Sequence, residues 1–382
     1  MPSQGGSTMI KNKFSTRHLV PIMFMVICLI GYILSGAQIG FITSELANRL
    51  VRNTFLVLSL IIPIIAGMGI NFGIPLGAMA AQVGLIFSQD LGFKGLLGIL
   101  VAAVIALPIA IVLGIFSGNV LNRAKGREMI TSMMLSFFML GVYMLVIMFL
   151  TGPVIPIRDK SMLLSSGVGI KNSITLTTAG ALDNALKYRI QIPLGHDQIK
   201  FDIPVLTIFI IGLLCVFITY FKKTKLGQNM RAVGLDQDVA NNSGLNSDKI
   251  RVKSIVYSTV LAAFGQLIYL QNIGTLATYA GLDQAALYAA AALLVGGASI
   301  LKASIVNAIV GTALFHLMFI IMPLAGKEVT GDAMVGEFLR TFISYAIVTI
   351  SLIVHEYNRK KEIKENRLKA IDRESKMAKT SA

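Results

Sequence analysis

Few side chains in this sequence have the type and spacing that catalysis or metal binding needs. The four histidines, at positions 18, 196, 316 and 355, fall on separate segments. His355 and Glu356 begin like a zinc-binding helix, but Arg359 stands where the second histidine would be required. No set of a nucleophile, a base and an acid is apparent. We therefore predict no metal site and no catalytic site, which disfavours a membrane-embedded enzyme.

Nucleotide hydrolysis is not expected of this chain either. The glycines at 67, 69 and 73 lie in an apolar stretch with no lysine after them, so they do not form a phosphate-binding loop. Cys28 and Cys215 both lie inside apolar runs and are expected to pack rather than to pair.

The composition identifies the environment of the protein. Of 382 residues, 55% are hydrophobic and only 14% are charged, and the mean hydropathy is +0.74. Soluble proteins carry roughly 25% charged residues, so this chain cannot cover a globular surface with them. The sequence predicts an all-α integral membrane protein.

Uncharged stretches near 20 residues in length predict eight transmembrane helices. They lie at about 19–43, 55–73, 95–119, 129–151, 203–221, 254–272, 303–324 and 341–356. Two short stretches rich in alanine and glycine, 75–90 and 284–300, raise the count to ten. In a ten-helix topology they run in opposite directions, as an inverted repeat of five plus five helices requires. An eight-helix topology, with the small residues serving only close packing, stays open.

The basic residues indicate which side each segment faces. In the ten-helix topology both termini are cytoplasmic, and 23 of the 34 Lys and Arg residues lie inside against 11 outside. This asymmetry suits a membrane face rich in anionic lipid, so the net charge of +15 does not call for nucleic acid. The predicted organisation is a cytoplasmic arm (1–18), a membrane domain (19–356) and a basic cytoplasmic tail (357–382).

Two polar segments interrupt the membrane domain. The outside loop, 152–202, either forms a cap that receives another protein or is an extracytoplasmic segment without a binding role. The inside loop, 222–253, contains two predicted short helices, Gln228–Val233 ended by Gly234 and Gln237–Ser243 ended by Gly244. Met230, Val233, Val239 and Leu245 would give these helices an apolar side for a partner groove.

The predicted spans contain no acidic residue between their ends, and His316 is the single histidine lying deep in one. Ion-coupled carriers usually keep ionisable groups on their path. The chain therefore points to a pathway energised by a partner. A self-sufficient secondary carrier or facilitator of a small neutral solute, with His316 as its proton site, is the alternative.

The inside loop carries a family resemblance. The run from Thr224 to Leu245, TKLGQNMRAVGLDQDVANNSGL, resembles the cytoplasmic signature of ABC importer permeases of the branched-chain amino acid, simple-sugar and nucleoside class. The matching positions are Thr224, Gly227, Arg231, Ala232, Gly234, Ala240, Gly244 and Leu245. Asp236 replaces the usual asparagine. The runs 127–137, 151–160 and 294–304 are similar to segments of the nucleoside and simple-sugar members.

This resemblance implies a non-catalytic subunit in the cytoplasmic (inner) membrane of a bacterium, crossing it many times. It implies as partners two ABC ATPase subunits docked on the loop around Arg231, a second permease subunit, an extracytoplasmic substrate-binding protein and membrane lipid. No cofactor would bind directly, since the partner subunit uses the ATP. The cargo would be a nucleoside or a simple sugar.

Uncharged polar residues near the two short stretches are the candidates for the substrate path. They are Asn71, Gln82, Tyr279, Gln284, Tyr288 and His316. Amides and tyrosines suit hydroxyl groups and base edges. The alternative for each of them is a hydrogen bond between helices.

Overall fold

A computed structural model describes residues 19–194, 197–280 and 282–343, with single positions up to 353. The side chains of residues 189–202 and of Asp283 are outside this description. The predicted arm (1–18), the tail (357–382) and the end of the last predicted span also lie outside the described residues.

The described chain is predominantly helical. Its helices are α1 (Leu19–Ser35), α2 (Ile39–Ser59), α3 (Ile61–Ile65), α4 (Ile74–Asp90), α5 (Gly95–Arg123), α6 (Glu128–Leu145), α7 (Ala181–Ala185), α8 (Val205–Phe221), α9 (Lys225–Leu235), α10 (Gln237–Asn242), α11 (Ser247–Ile273), α12 (Leu282–Val295) and α13 (Ile305–Thr330). A π-helical turn, Val146–Leu150, extends α6, and residues 333–343 are helical.

Five helices of the described part are long and apolar enough to cross a membrane, or six if α8 and α9, which meet at 70°, are one broken span. They confirm an α-helical protein of the membrane type. The helices α1, α4 and α12 are shorter, with 17, 17 and 14 residues. The count of ten and the cytoplasmic position of both termini stay predictions.

The second predicted span, 55–73, is misplaced along the chain. The apolar helix runs from Ile39 to Ile65, and residues 66–73 form a loop. Three charged residues that the hydropathy pattern assigned to an outside segment lie within α2 instead. Glu45 accepts a 2.9 Å bond from Arg49 one turn later, and this i,i+4 pair is compatible with a helix. The first helix is shorter than the predicted span 19–43, because α1 ends at Ser35 and the following residues from Ile39 belong to α2.

The α4 helix lies at the centre of the bundle and is almost entirely buried. Small residues allow this position: a Cβ on Gly77 would overlap the backbone oxygen of Thr259 on α11, and one on Gly84 would overlap that of Ala102 on α5. The helix α12 also has a buried alanine run, Ala289–Ala292. Contacts at their ends place α4 and α12 in opposite directions across the bundle, as the predicted repeat requires. The repeat itself stays a prediction.

The polar segments gather at two opposite ends. At one end Lys125, in the α5–α6 turn, pairs with Asp248 at 2.8 Å, and Glu128 pairs with Arg251 of α11. At the other end the outside loop covers the bundle. Asp90 of α4 accepts bonds of 2.6 and 2.9 Å from the backbone N–H groups of Arg158 and Asp159.

The outside loop also contains β structure, which an all-α prediction omits. Strand β1 (Ser173–Thr175) pairs with β4 (Thr275–Ala277), and β2 (Lys187–Leu194) forms a hairpin with β3 (Asp197–Pro204), both antiparallel. The first pair ties the loop to the chain between α11 and α12. The described residues of the predicted loop 152–202 therefore form a layer over this end of the bundle.

Candidate functional site

The loop after α8 is built by side-chain caps. Thr224 is the N-cap of α9, where its hydroxyl accepts a 3.2 Å bond from Gly227 N–H and donates a 2.7 Å bond to the Phe221 carbonyl. A Cβ on Gly227 would overlap that same carbonyl oxygen. The threonine and the glycine of the predicted signature thus fix the sharp turn between α8 and α9.

The next glycine has a different role from the predicted one. Gly234 does not end α9, which continues to Leu235. It lies against the end of α3: a Cβ at this position would overlap the Ile65 oxygen and would be 2.9 Å from the Gly67 nitrogen. Conversely, a Cβ on Gly67 would be 2.7 Å from the Gly234 Cα. The glycine is required for backbone approach rather than for helix termination.

The second short helix has its own cap. The Asp236 carboxylate accepts bonds of 2.9 and 3.0 Å from the N–H groups of Asp238 and Val239. Asparagine, the residue usual in the resembling family, is an equally good N-cap. The carbonyl of Ala232 accepts from Asp236 N–H at 3.2 Å, and that of the buried Ala240 from Leu245 N–H at 3.0 Å.

The helix α10 ends at Asn242, and Gly244 lies in the turn that follows, with φ +82°. This glycine therefore follows the helix end, as predicted. The helix α11 then begins at Ser247, inside the predicted loop 222–253, because Asn246 caps it by accepting a 3.0 Å bond from Lys249 N–H. The loop is therefore shorter than its charge pattern predicts.

The surface of this loop differs from the predicted apolar side. Met230 and Val233 are buried against the bundle, so they are closed to a partner. The exposed apolar side chains are Leu235, at 77%, and Val239, at 60%. Arg231 is exposed on the same pair of helices, and burial, followed by the charge of Arg231, lowers the pKa of Lys222. We call the exposed Arg231, Leu235 and Val239 the coupling surface.

Behind the coupling surface lies the 66–73 loop, and successive residues of this loop touch different elements. After Gly67, which contacts α9, Met68 accepts a 3.5 Å bond at its sulfur from Ser254 of α11. A Cβ on Gly69 would be 2.9 Å from Ile300, in the turn before α13, and 3.3 Å from Met129 of α6. The loop therefore connects the coupling surface to three membrane helices or their ends.

The same loop continues into the bundle. The Asn71 side-chain amide donates a 3.2 Å bond to Ser258 of α11 and accepts a 2.8 Å bond from Gly73 N–H. Phe72 is fixed by α6, whose Ser132 accepts from its N–H at 3.2 Å and whose Ser136 donates to its carbonyl at 2.8 Å. Asn71, a predicted path residue, thus contributes to a contact between this loop and α11.

Three predicted path residues meet at one cavity. A cavity of about 100 Å³ lies between α2, α11, α12 and α13; we call it the central cavity. It is lined by Asn53, Leu56, Val57, Gln266, Tyr269, Gln284, Ala285, Tyr288, Ala289 and His316. Gln284 also lines a larger side cavity of about 300 Å³, which Phe72 of the 66–73 loop and Ser136 of α6 help to form.

The other two predicted path residues lie elsewhere. Gln82 accepts a 2.7 Å bond from the Tyr143 hydroxyl and donates at 3.4 Å to the Ala277 carbonyl. Tyr279 donates a 2.7 Å bond to the Ile170 carbonyl. Both hold the outside loop and its β1–β4 pair onto the bundle. Neither lines the central cavity or the side cavity.

Sequence reasoning missed part of the central cavity. Asn53 was assigned to an outside segment because Arg52 beside it is charged, and Gln266 and Tyr269 lie in a span without a distinguishing motif. Only the helix register shows them: α11 presents Gln266 and Tyr269, three residues apart, on one face. The ion pair of Arg251 and Glu128 could not be predicted from the sequence either, because the two residues belong to different predicted segments.

A bundle of apolar helices that surrounds a polar cavity, with an ordered polar loop at each end, defines a multi-pass membrane protein of the transport type. The profile of the family described as branched-chain amino acid transport system / permease component matches residues 42–354, so the chain belongs to that family. This confirms the resemblance drawn from the inside loop.

Two curated relatives share shorter stretches. The chain is 32% identical over 105 residues to a xylose transport system permease protein, XylH, of Haemophilus influenzae, covering 28% of this chain and 27% of the relative. It is 28% identical over 151 residues to a nucleoside ABC transporter permease protein, NupB, of Lactococcus lactis subsp. cremoris, covering 38% of each. The matches thus span well under half of these relatives. No solved structure matches the chain.

Proposed function

We propose that this protein is the permease subunit of an ATP-driven importer in the cytoplasmic membrane of a bacterium, and that it carries a nucleoside or a simple sugar. ATP would be bound and hydrolysed by separate ATPase subunits. An extracytoplasmic substrate-binding protein would deliver cargo to the ordered outside loop, and a second permease subunit would complete the pathway. The family, and the names of its sugar and nucleoside relatives, support this class of cargo.

The observation that carries the proposal is the backbone contact between Gly234 and Gly67. The coupling surface is exposed and combines a cation with two apolar side chains, which suits a groove on a partner with acidic and apolar walls. A partner that moves α9 would push directly on the 66–73 loop, because no side chain separates Gly234 from Gly67. That loop reaches Phe72, which lines the side cavity.

In this mechanism ATP binding and hydrolysis displace α9 and α10, and the 66–73 loop passes the displacement to α6, α11 and the turn before α13. The pathway then opens alternately to the two faces. ATP hydrolysis would supply the energy, and the partner's different affinities for the two conformations of the membrane domain would couple it to transport. Because both residues of the contact are glycines, no flexible side chain lies between the backbone of α9 and that of the 66–73 loop.

Purification from the native membrane in mild detergent, followed by reconstitution into liposomes, tests this proposal. The complex should contain a P-loop ATPase, and uptake of labelled uridine or xylose should require ATP on the side where the ATPase lies. Recovery of the chain alone, with uptake in liposomes free of ATP, would instead identify a self-sufficient carrier.

A further inference from the structure

The central cavity has the chemistry of a recognition site. Its lining contains three amides, two tyrosines and one histidine, and none of its lining residues in the described chain carries a formal charge at neutral pH when His316 is neutral. Gln266 and His316 are both more than nine-tenths buried. A cavity needs roughly 10–15 Å³ to hold one water molecule, so about 100 Å³ has room for several groups of that size.

Two lining side chains lack partners for one polar atom each. The Oε1 of Gln266 and the Nδ1 of His316 are shielded from solvent and make no hydrogen bond to the described residues. Buried polar groups in folded proteins are nearly always bonded, because leaving one unpaired is unfavourable. Amide Oε1 accepts hydrogen bonds only, and a neutral imidazole nitrogen without its proton does the same. Both side chains belong to a lining whose amides, tyrosines and histidine can donate as well as accept hydrogen bonds, so the cavity suits a ligand with hydroxyl groups.

The aromatic rings of the cavity are backed by cations. The Arg52 guanidinium carbon is 5.9 Å from the ring centroid of Tyr269, a lining residue. The Arg340 guanidinium carbon is 4.4 Å from the ring of Phe319, which packs edge-on to Tyr288 with centroids 5.0 Å apart. Glu337 pairs with Arg340, but Arg52 donates only to the neutral amide of Asn272, at 3.4 Å, within the described chain. A ligand carrying an ammonium group would meet positive potential here.

These observations together indicate the chemical class of the ligand. We propose that the central cavity recognises the neutral, hydroxyl-bearing ring that simple sugars and nucleosides share, with Gln266 and His316 among the lining side chains that hydrogen-bond to its hydroxyl groups. This inference rests on the proposed function. It adds the recognition residues and the exclusion of cargo with a net positive charge. Tyr288 and Tyr269 supply ring faces against which a sugar or a base can pack.

A thiol-protection experiment on the full chain in native membranes tests the inference without requiring transport. Gln284→Cys, placed at the border of the central and side cavities in a background of Cys28→Ala and Cys215→Ala, is labelled with a small thiol reagent. Xylose and uridine are added in separate arms to distinguish a free sugar from a nucleoside, and leucine is added in a third. Lys94→Cys, exposed at the outer end of the bundle, is the control position.

We expect xylose or uridine to slow labelling at position 284 but not at position 94, and leucine to have no effect. Adding Gln266→Leu should raise the half-protecting concentration about tenfold, the effect of losing one hydrogen bond to the ligand. His316→Phe, which keeps the ring packing on Phe315 and Phe319, should act similarly. Gln271→Leu is the matched control, because its Oε1 bonds the Leu182 backbone at 3.2 Å, away from the cavity.

Protection by none of the three solutes, equal protection by leucine, or protection unchanged in both Gln266→Leu and His316→Phe would overturn the inference. Failure of the proposed function would look different. Uptake would then be independent of ATP, while protection at position 284 and its dependence on Gln266 could persist.

Discussion

Gly234 of α9 and Gly67 of the 66–73 loop are in backbone contact, and neither position has space for a methyl group. A Cβ on Gly67 would be 2.7 Å from the Gly234 Cα, and a Cβ on Gly234 would overlap the Ile65 oxygen. The contact joins the polar loop that carries the family signature to the end of the α2–α3 span. In the proposed mechanism, this contact would transmit movement of the coupling surface to the membrane domain.

Replacing Gly234 by alanine should therefore uncouple the protein. The added methyl group displaces α9 from Ile65, and overpacking of this kind costs about 1–3 kcal/mol. We expect ATP-dependent uptake to fall at least about tenfold while the amount of protein in the membrane changes little. Gly212→Ala in α8 is the matched control, since a Cβ there meets nothing within 4 Å. Normal uptake by the Gly234→Ala protein would remove this contact from the mechanism.

The pair formed by the buried Arg251 and the partly buried Glu128 should matter for stability. The Arg251 side chain is fully buried, and the carboxylate of Glu128 pairs with it where α6 begins. Glu128→Ala would leave an uncompensated buried charge, which costs about 3–5 kcal/mol. Thermal unfolding in detergent should show a clear decrease in midpoint.

The exposed pair of Lys125 and Asp248 is a control at the same end of the bundle, with both side chains about half exposed. Lys125→Ala should change stability by less than about 1 kcal/mol, because solvent screens such pairs. Equal effects of the two substitutions would show that the Arg251 charge is stabilised by other groups.

Asp236 allows a test of the departure from the family pattern. Its carboxylate caps α10 through the N–H groups of Asp238 and Val239. Asp236→Asn should preserve the cap and be nearly silent, whereas Asp236→Ala should destabilise α10 by about 1 kcal/mol. Hydrogen exchange of the α10 amides measures this directly. Faster exchange in the asparagine variant, equal to that in the alanine variant, would mean that the charge and not the cap holds the helix.

Much of the helical architecture follows from the sequence, because long uncharged runs dominate it. The helix α5, for example, begins where its predicted span begins, and α8 ends where its predicted span ends. The errors occur where charge lies within a helix, as in α2, and where a short segment forms strands, as in the outside loop. The Glu45–Arg49 pair within α2 and the pairing of β1 with β4 cannot be read from a hydropathy pattern.

The candidate site was only partly accessible to such reasoning. The inside loop has caps and glycines with fixed spacing, so its two helices could be predicted, although Gly234 lies inside α9. The central cavity depends on the register of four separate helices. Gln284, Tyr288 and His316 were predicted as path residues because they are uncharged polar residues near a short alanine- and glycine-rich stretch, whereas Gln266 had no local signal. Whether these side chains contact cargo stays a prediction.

The most direct test of the account is to ask whether the coupling surface holds an ATPase. Arg231→Glu reverses the exposed charge on α9, and Lys249→Glu makes the same change on an exposed residue at the start of α11. Both tagged proteins and the wild type are purified from the native membrane, and their co-purifying subunits and ATP-dependent uptake are measured. The account predicts that Arg231→Glu alone loses the P-loop ATPase and uptake, at unchanged membrane abundance. Retention of the ATPase and of ATP-dependent uptake by Arg231→Glu would contradict it.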